Sequence, residues 1–564
     1  MKFNEYEYNR PDMNEIKAKY NELINNFELA ATFEKQDDCL ASINQINADF
    51  NTMESIAYVR HTVNTTDEFY DREIDFFDEN KPLFEGLNNK YYKALTKATF
   101  RDQLEQKWGS QLFVLADLKL KTFKEEIVAD LQNENKLVSE YKKLIASAKI
   151  EFEGKERNLS QLKPFFESKD RNQRKEAQKA YWSFFRENND KIDDIYDKLV
   201  RIRTSIAEKL GYDNFTQLGY DRMERSDYGI AQVVNFRKQV NKYLTPLTVN
   251  LRDRQKKRID VDKLYYYDTP FQFTTGNAKP HGDAAWMINN ASRMYSQLSP
   301  ETEEFFAMMQ ESGLMDLETK KGKAAGGYCI NFSNYKTPFI FSNFNGTAGD
   351  VDVLTHEAGH AFQNYSSRNL GIEEYYWPTA EACEVHSMGM ELLTWPWMDL
   401  FFEEEADKYK FTHMGSALSF IPYGSIIDEF QHEVYANPDW TPAERDKAFR
   451  KIERKYKPDI DYEDNDYLEK GSFWKKQGHL FFMPFYYIDY CLAQICALQF
   501  WKKYQEDKTG TWEDYMKLCQ AGGSKPFTVL LDLANLESPF KDGCIKSVVD
   551  PISNWLDEID DSNF

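Results

Sequence analysis

Leu354-Thr355-His356-Glu357-Ala358-Gly359-His360-Ala361-Phe362 sets two imidazoles four residues apart with a glutamate between them. On a helix, positions i and i+4 lie one turn apart on the same face, so His356 and His360 can share one ion. Neutral imidazole is a good zinc ligand. Glu357 points beside the ion, where it can take a proton from water. Two ordinary core histidines are the plainer reading, but a helix interior has little reason to carry His, Glu and His together. The preceding Asn345-Gly346-Thr347-Ala348-Gly349-Asp350 supplies a turn and helix caps.

A catalytic zinc needs a third protein ligand and an open position. The metzincin pattern is excluded, because Gln363 and Ser366 stand where it requires Gly and His. The next candidate segment, Thr379-Ala380-Glu381-Ala382-Cys383-Glu384-Val385-His386-Ser387-Met388, follows the breaker Trp377-Pro378 and is compatible with a helix packing back on the first. Glu381, Glu384 and His386 are all possible ligands, and residue chemistry alone leaves the three open.

Helical periodicity dominates the rest of the chain. Asp12 is a plausible N-cap for a helix whose apolar face carries Ile16, Tyr20, Leu23, Ile24 and Phe27. Similar segments continue to about residue 200, which reads as a helical N-terminal lobe (1–200) preceding a catalytic domain (201–564). The texture changes between Tyr265 and Thr347. Thr269-Pro270-Phe271-Gln272-Phe273, Gly326-Gly327-Tyr328-Cys329-Ile330-Asn331-Phe332 and Pro338-Phe339-Ile340-Phe341-Ser342 are β-rich in composition, and the last two look like a hairpin across residues 334–337. One small sheet near the zinc motif is therefore expected in a mainly α protein. Leu480 to Trp501 is long and apolar enough to suggest a membrane span, but Pro484, Asp489, Gln494 and Gln499 interrupt it, so it reads as a buried helix.

Composition narrows the partners. Of 564 residues, 71 are Lys or Arg and 93 Asp or Glu, a net charge of -22 with no basic block, which argues against nucleic acid. Seven cysteines without a CxxC pair fit reduced thiols in a cytoplasmic protein. The opening residues lack an apolar h-region, so no signal peptide and no membrane association are expected.

Three stretches together resemble the thimet oligopeptidase and oligoendopeptidase F family, most closely its bacterial oligoendopeptidase F branch with Pz-peptidase-like members. They are Phe341-Ser342-Asn343-Phe344-Asn345-Gly346-Thr347, the residues from Asp352 to His360, and Ala380-Glu381-Ala382-Cys383-Glu384-Val385-His386-Ser387. The resemblance implies two helical lobes enclosing a deep substrate channel. It implies one Zn2+ per chain and hydrolysis of internal bonds in short unfolded peptides by a monomer or weak homo-oligomer. In that family a Glu about two dozen residues after the second His is the third ligand, and another Glu follows seven residues later. Glu384 and Glu391 match, which assigns Glu384 to the metal and Glu391 to orienting a ligand, with Asp352 a weaker candidate for that role. The family's His and Tyr cluster, which reaches the substrate carbonyl, maps to His479 with Tyr486 and Tyr490; Tyr487 competes with them. The family's edge strand, beside which substrate lies, is expected to begin at Gly326, Gly327 and Tyr328. A dicarboxypeptidase with similar helices, which needs a fixed cation for the substrate C-terminus, and a non-catalytic peptide binder are the rival readings.

Overall fold

The computed structural model describes all 564 residues. Asp12 caps the first long helix, Met13–Glu28, by accepting from the amides of Asn14 and Glu15, and that helix buries Tyr20 and Phe27. The apolar interior falls into two clusters. The smaller is built from residues between Tyr20 and Ala116, joined by Ile372 and Tyr375. The larger runs from Tyr6 to Leu556 and holds everything around the His-Glu motif. Tyr375, distant in sequence, is tied into the smaller cluster: its hydroxyl donates to the Trp108 carbonyl and accepts from the Leu112 amide, both at 2.8 Å.

Helices carry most of the chain, and two small sheets interrupt them. In the larger sheet, Thr337–Phe344 is central, parallel to Met315–Glu318 and antiparallel to Tyr328–Phe332. The expected hairpin is present. Its turn is a 3-10 segment, Ser333–Tyr335, closed by Lys336 in the left-handed region at φ 52. Tyr328–Phe332 is thus an edge strand.

Two details differ from the sequence reading. Thr269 to Phe273 forms turn and irregular chain, since Pro270 cannot donate to a ladder; the Gln255 amide takes the carbonyls of Asp268, Thr269 and Phe271 instead. A second sheet, the hairpin Ile150–Phe152 with Lys155–Arg157, was not expected. Each strand has three residues, and although Ile150-Glu151-Phe152 alternates, its partner Lys155-Glu156-Arg157 is wholly charged, so the pair is too short for a half-buried strand pattern to register. The only signal is the turn, where Glu153 (φ 52) and Gly154 (φ 71) both sit at positive φ, as a type I′ turn requires.

Three helices frame the motif. Gly349–Ser367 carries it, Ala380–Leu393 crosses it, and Tyr487–Glu506 packs on the far side of Ala380–Leu393. The crossing is close at Gly359, where a Cβ would lie 2.6 Å from Ser387 Cα and 2.7 Å from the His386 carbonyl oxygen. Pro484 and its neighbours split the apolar C-terminal run into His479–Phe482 and Tyr487–Glu506. At the break Phe485 adopts φ 67; its amide donates to Gln431 (2.6 Å) and its carbonyl accepts from Arg225 (2.6 Å). No helix is long and apolar enough to cross a membrane.

Candidate active site

His356, Glu357 and His360 stand on consecutive turns of Gly349–Ser367, and Glu384 reaches them from Ala380–Leu393. Glu384 Oε2 lies 3.2 Å from His356 Nε2 and 3.4 Å from His360 Nε2. The three donor atoms all fall within 4.8 Å of one another, the one His, Cys or carboxylate group in the molecule that could hold a metal. Ligands about 2.0–2.1 Å from a tetrahedral ion stand about 3.4 Å apart, so the donor triangle fits a zinc-sized ion. Two imidazoles and a carboxylate are also a catalytic zinc donor set. Burial opposes ionisation of Glu384, but the two imidazoles win and hold its carboxyl well below the usual range. Of the other two possible ligands, His386 turns Nδ1 to the Ala382 carbonyl at 2.6 Å and packs beside Tyr515. Glu381 is fully buried without a hydrogen-bond partner for either oxygen, and stands outside the triangle.

The close helix crossing is what brings Glu384 to the histidines. Over-packing a tight contact costs about 1–3 kcal/mol, and here the strain would open the triangle. Gly359→Ala is therefore expected to lower both the thermal midpoint and the affinity for zinc, read by calorimetry and by competition with a chromophoric chelator. Unchanged affinity would show that the spacing is not set at Gly359.

Hydrogen bonds fix the protonation pattern behind His356. The Trp395 indole N–H donates to His413 Nδ1 (2.9 Å), which leaves the His413 proton on Nε2, donated to Glu391 Oε2 (2.8 Å). Glu391 Oε1 in turn accepts from His356 Nδ1 (2.6 Å), so His356 Nε2 keeps its lone pair facing the donor triangle. Asp352 touches neither histidine of the motif; it accepts from Tyr409, whose hydroxyl is 3.5 Å from His413 Nδ1. Glu391 and Asp352 thus join one network, with Glu391 the one that contacts His356.

Glu357 is buried, 6% exposed, and its Oε2 has no hydrogen-bond partner. Burial raises its pKa above the ordinary carboxylate value. Gly327 faces it: a Cβ there would stand 3.3 Å from Glu357 Oε1. Gly326 turns the chain at φ 100, and the Asn343 amide holds that bend through the carbonyls of Ala324 and Gly326. Tyr328 stacks on Phe341 at 4.7 Å and bonds to Thr62 of the N-terminal helix Phe33–Val63.

On the opposite side, the Tyr486 hydroxyl donates to Glu384 Oε1. Tyr490 packs edge-on against Tyr486, with ring centres 4.9 Å apart and its hydroxyl 3.4 Å from His479 Nε2. Tyr423 donates to Gln477 Oε1 (2.9 Å), which orients the Gln477 amide to donate to His479 Nδ1 (2.9 Å). The His479 proton is therefore on Nε2. Burial pushes its pKa down to about 4, so the ring is neutral at neutral pH and Nε2–H is a donor. Tyr487 instead packs among Phe420, Tyr423, His479 and Tyr490.

Sequence reasoning passed over His413, Trp395, Tyr409 and Gln477. His413 had one usable signal: the chain holds only eight histidines, and a rare imidazole on an apolar helix asks for a partner. Trp395 and Gln477 carry none, since their roles follow from packing alone.

A family model described as Peptidase family M3 matches residues 165–550, and one described as Peptidase M3 N-terminal domain matches residues 3–123. A solved structure described as Pz peptidase A with inhibitor 2 is 58% identical, covers 100% of both chains and superposes with a TM-score of 0.99. An oligoendopeptidase-F from Enterococcus faecium, 14% identical over 98% of this chain and 99% of that one with a TM-score of 0.61, shares the fold. A curated relative, the Oligoendopeptidase F homolog of Borreliella burgdorferi, is 23% identical over 377 residues. That match spans 64% of this chain and 61% of the relative's own length.

Proposed function

The chain belongs to peptidase family M3, and from that premise we propose that it is a zinc-dependent endopeptidase for short, unfolded peptides. In this reading His356, His360 and Glu384 hold one zinc per chain. The observation that carries it is the buried, unpartnered Glu357 carboxylate beside three convergent donor atoms. When bound, zinc supplies Lewis acidity that polarises the scissile carbonyl and acidifies water. Glu357 takes the proton from that water and delivers it to the leaving amine. The Tyr490 hydroxyl and His479 Nε2–H donate to the oxyanion as charge develops, and the Tyr486 hydroxyl joins them by leaving Glu384 Oε1. Glu391 holds the lone pair of His356 in place, and Asp352 supports the same network through Tyr409.

The edge strand Tyr328–Phe332 accepts an extended peptide by backbone hydrogen bonds, with Gly326 and Gly327 allowing close approach. Tyr328 and Tyr487 border the bound chain. A deep channel between a helical N-terminal lobe, 1–200, and a catalytic domain, 201–564, excludes folded proteins by size. The separate apolar cluster of residues 20–116 supports a core of its own for that part of the lobe, whereas Ile127 to Val200 pack into the larger core. Free thiols at all seven cysteines suit a cytoplasmic, reducing location. The protein acts as a monomer or weak homo-oligomer.

Internally quenched peptides of graded length test the reading. The zinc-loaded protein is expected to cut short peptides at internal bonds and to leave folded proteins whole, as mass spectrometry of the products would show. Release of single terminal residues only, or degradation of a folded protein, would contradict it.

A further inference from the structure

Buried lysines in this protein generally have an acidic partner. Lys475 lies 2.8 Å from Asp193 and 3.2 Å from Asp446, and Lys323 is 2.5 Å from Asp316. Lys457 and Lys476, both half-buried, pair with no carboxylate. Their ammonium groups lie over aromatic faces, Lys457 5.0 Å from the Tyr423 ring centre and Lys476 4.2 Å from that of Phe473. Those rings meet edge to face at 5.9 Å, so the two cations flank one aromatic pair. Tyr423 is also the residue that orients Gln477 and, through it, His479. The patch is therefore two hydrogen bonds from His479.

The acids close by are already committed: Glu453 to Arg450 (2.9 Å) and Tyr462 (2.6 Å), and Asp459 to Arg252. Burial and then the charges of Lys457 and Lys163 push Lys476 down to about 7; burial and then Arg252 push Lys457 down to about 8. Unpaired cations crowded together in a chain of net charge -22 are an arrangement that an anion relieves.

We propose that Lys457 and Lys476 form a carboxylate subsite that anchors an anionic group of the peptide substrate on the His479 side of the active site. The inference rests on the peptidase reading above. A peptide offers this chemistry at its C-terminus or at an Asp or Glu side chain. Ammonium groups on flexible stems accept either, because they impose no planar fork geometry. Tyr423 and Phe473 supply an apolar wall for the residue that bears the carboxylate. Anchoring a C-terminus would make the subsite a ruler, fixing the number of residues between that end and the scissile bond.

Binding to zinc-loaded Glu357→Gln protein, followed by fluorescence anisotropy, tests this with two peptide pairs. One pair differs only in a C-terminal acid or amide, the other only in an internal Glu or Gln. The charged member of at least one pair is expected to bind roughly tenfold tighter or more, and which pair shows the difference identifies the source. Adding Lys457→Met and Lys476→Met together is expected to abolish the preference, whereas Lys476→Arg keeps it. Removing two mutually repelling cations is expected to preserve or raise the thermal midpoint, which separates a lost subsite from a lost fold. Equal affinity within both pairs, or a preference that survives the double Met substitution, would overturn the proposal. Native protein that binds with the preference but cleaves nothing would fail the proposed function and leave the subsite standing. Native protein that cleaves all four peptides at equal kcat/KM would do the reverse.

Discussion

Glu357→Gln is expected to lower kcat/KM on a short peptide by about 10²–10⁴-fold while the protein keeps its zinc. Gln preserves the shape and the buried contacts but cannot accept a proton. The residue is not one of the three convergent donors, so the ion has no reason to leave. Its Oε2 is buried with no partner, and burial raises the carboxyl pKa, which brings its basicity closer to that useful near neutral pH. Gly327 leaves room beside Oε1 that any larger residue would fill. Paired measurement of kcat/KM and of metal by elemental analysis checks both halves. Undiminished cleavage would remove Glu357 from the base role, and loss of zinc would recast it as a ligand.

Glu384→Ala is expected to abolish cleavage by a different route, through loss of the ion. Zinc sites contribute on the order of 10–16 kcal/mol, so removing one of three protein ligands is expected to weaken binding by roughly 10³-fold or more. The substitution also strips the Tyr486 hydroxyl of its acceptor and leaves the Ser387 hydroxyl only the backbone carbonyl of residue 384. A ligand that binds the folded state raises its thermal midpoint. Added zinc is therefore expected to stabilise the native protein and to leave Glu384→Ala unchanged in a melting experiment. A variant that melts with the same zinc-dependent rise would show that the third donor lies elsewhere.

The sequence carried the helical class and the two histidines because both are local signals, a 3.6-residue period and a one-turn spacing. The edge hairpin was legible for the same reason: two β-rich runs flank a short turn. The 150–157 hairpin was not, since its strands are three residues each, one of them wholly charged, and only Gly154 marks the turn. The third ligand shows where locality ends. Glu381, Glu384 and His386 sit on one helix within two turns, and what separates them is the helix crossing at Gly359, a tertiary contact. Glu384 was assigned through family resemblance, and the geometry brings that residue to the histidines while His386 and Glu381 face elsewhere. The Trp395–His413–Glu391–His356 chain lies further from sequence still, because three hydrogen bonds across four segments fix its protons. The His479 and Tyr cluster was expected as a group, yet the roles within it separate only once Tyr486 is seen on Glu384 and Tyr490 beside His479.

The central claim is that three side chains hold one zinc on which peptide cleavage depends. Its most direct test is to purify the native protein, measure bound metals by mass spectrometry, strip them with a chelator, and titrate zinc back while following cleavage of a short quenched peptide. The prediction is one zinc per chain, activity lost on stripping, and full recovery at one equivalent. Undiminished cleavage by fully stripped protein would contradict it.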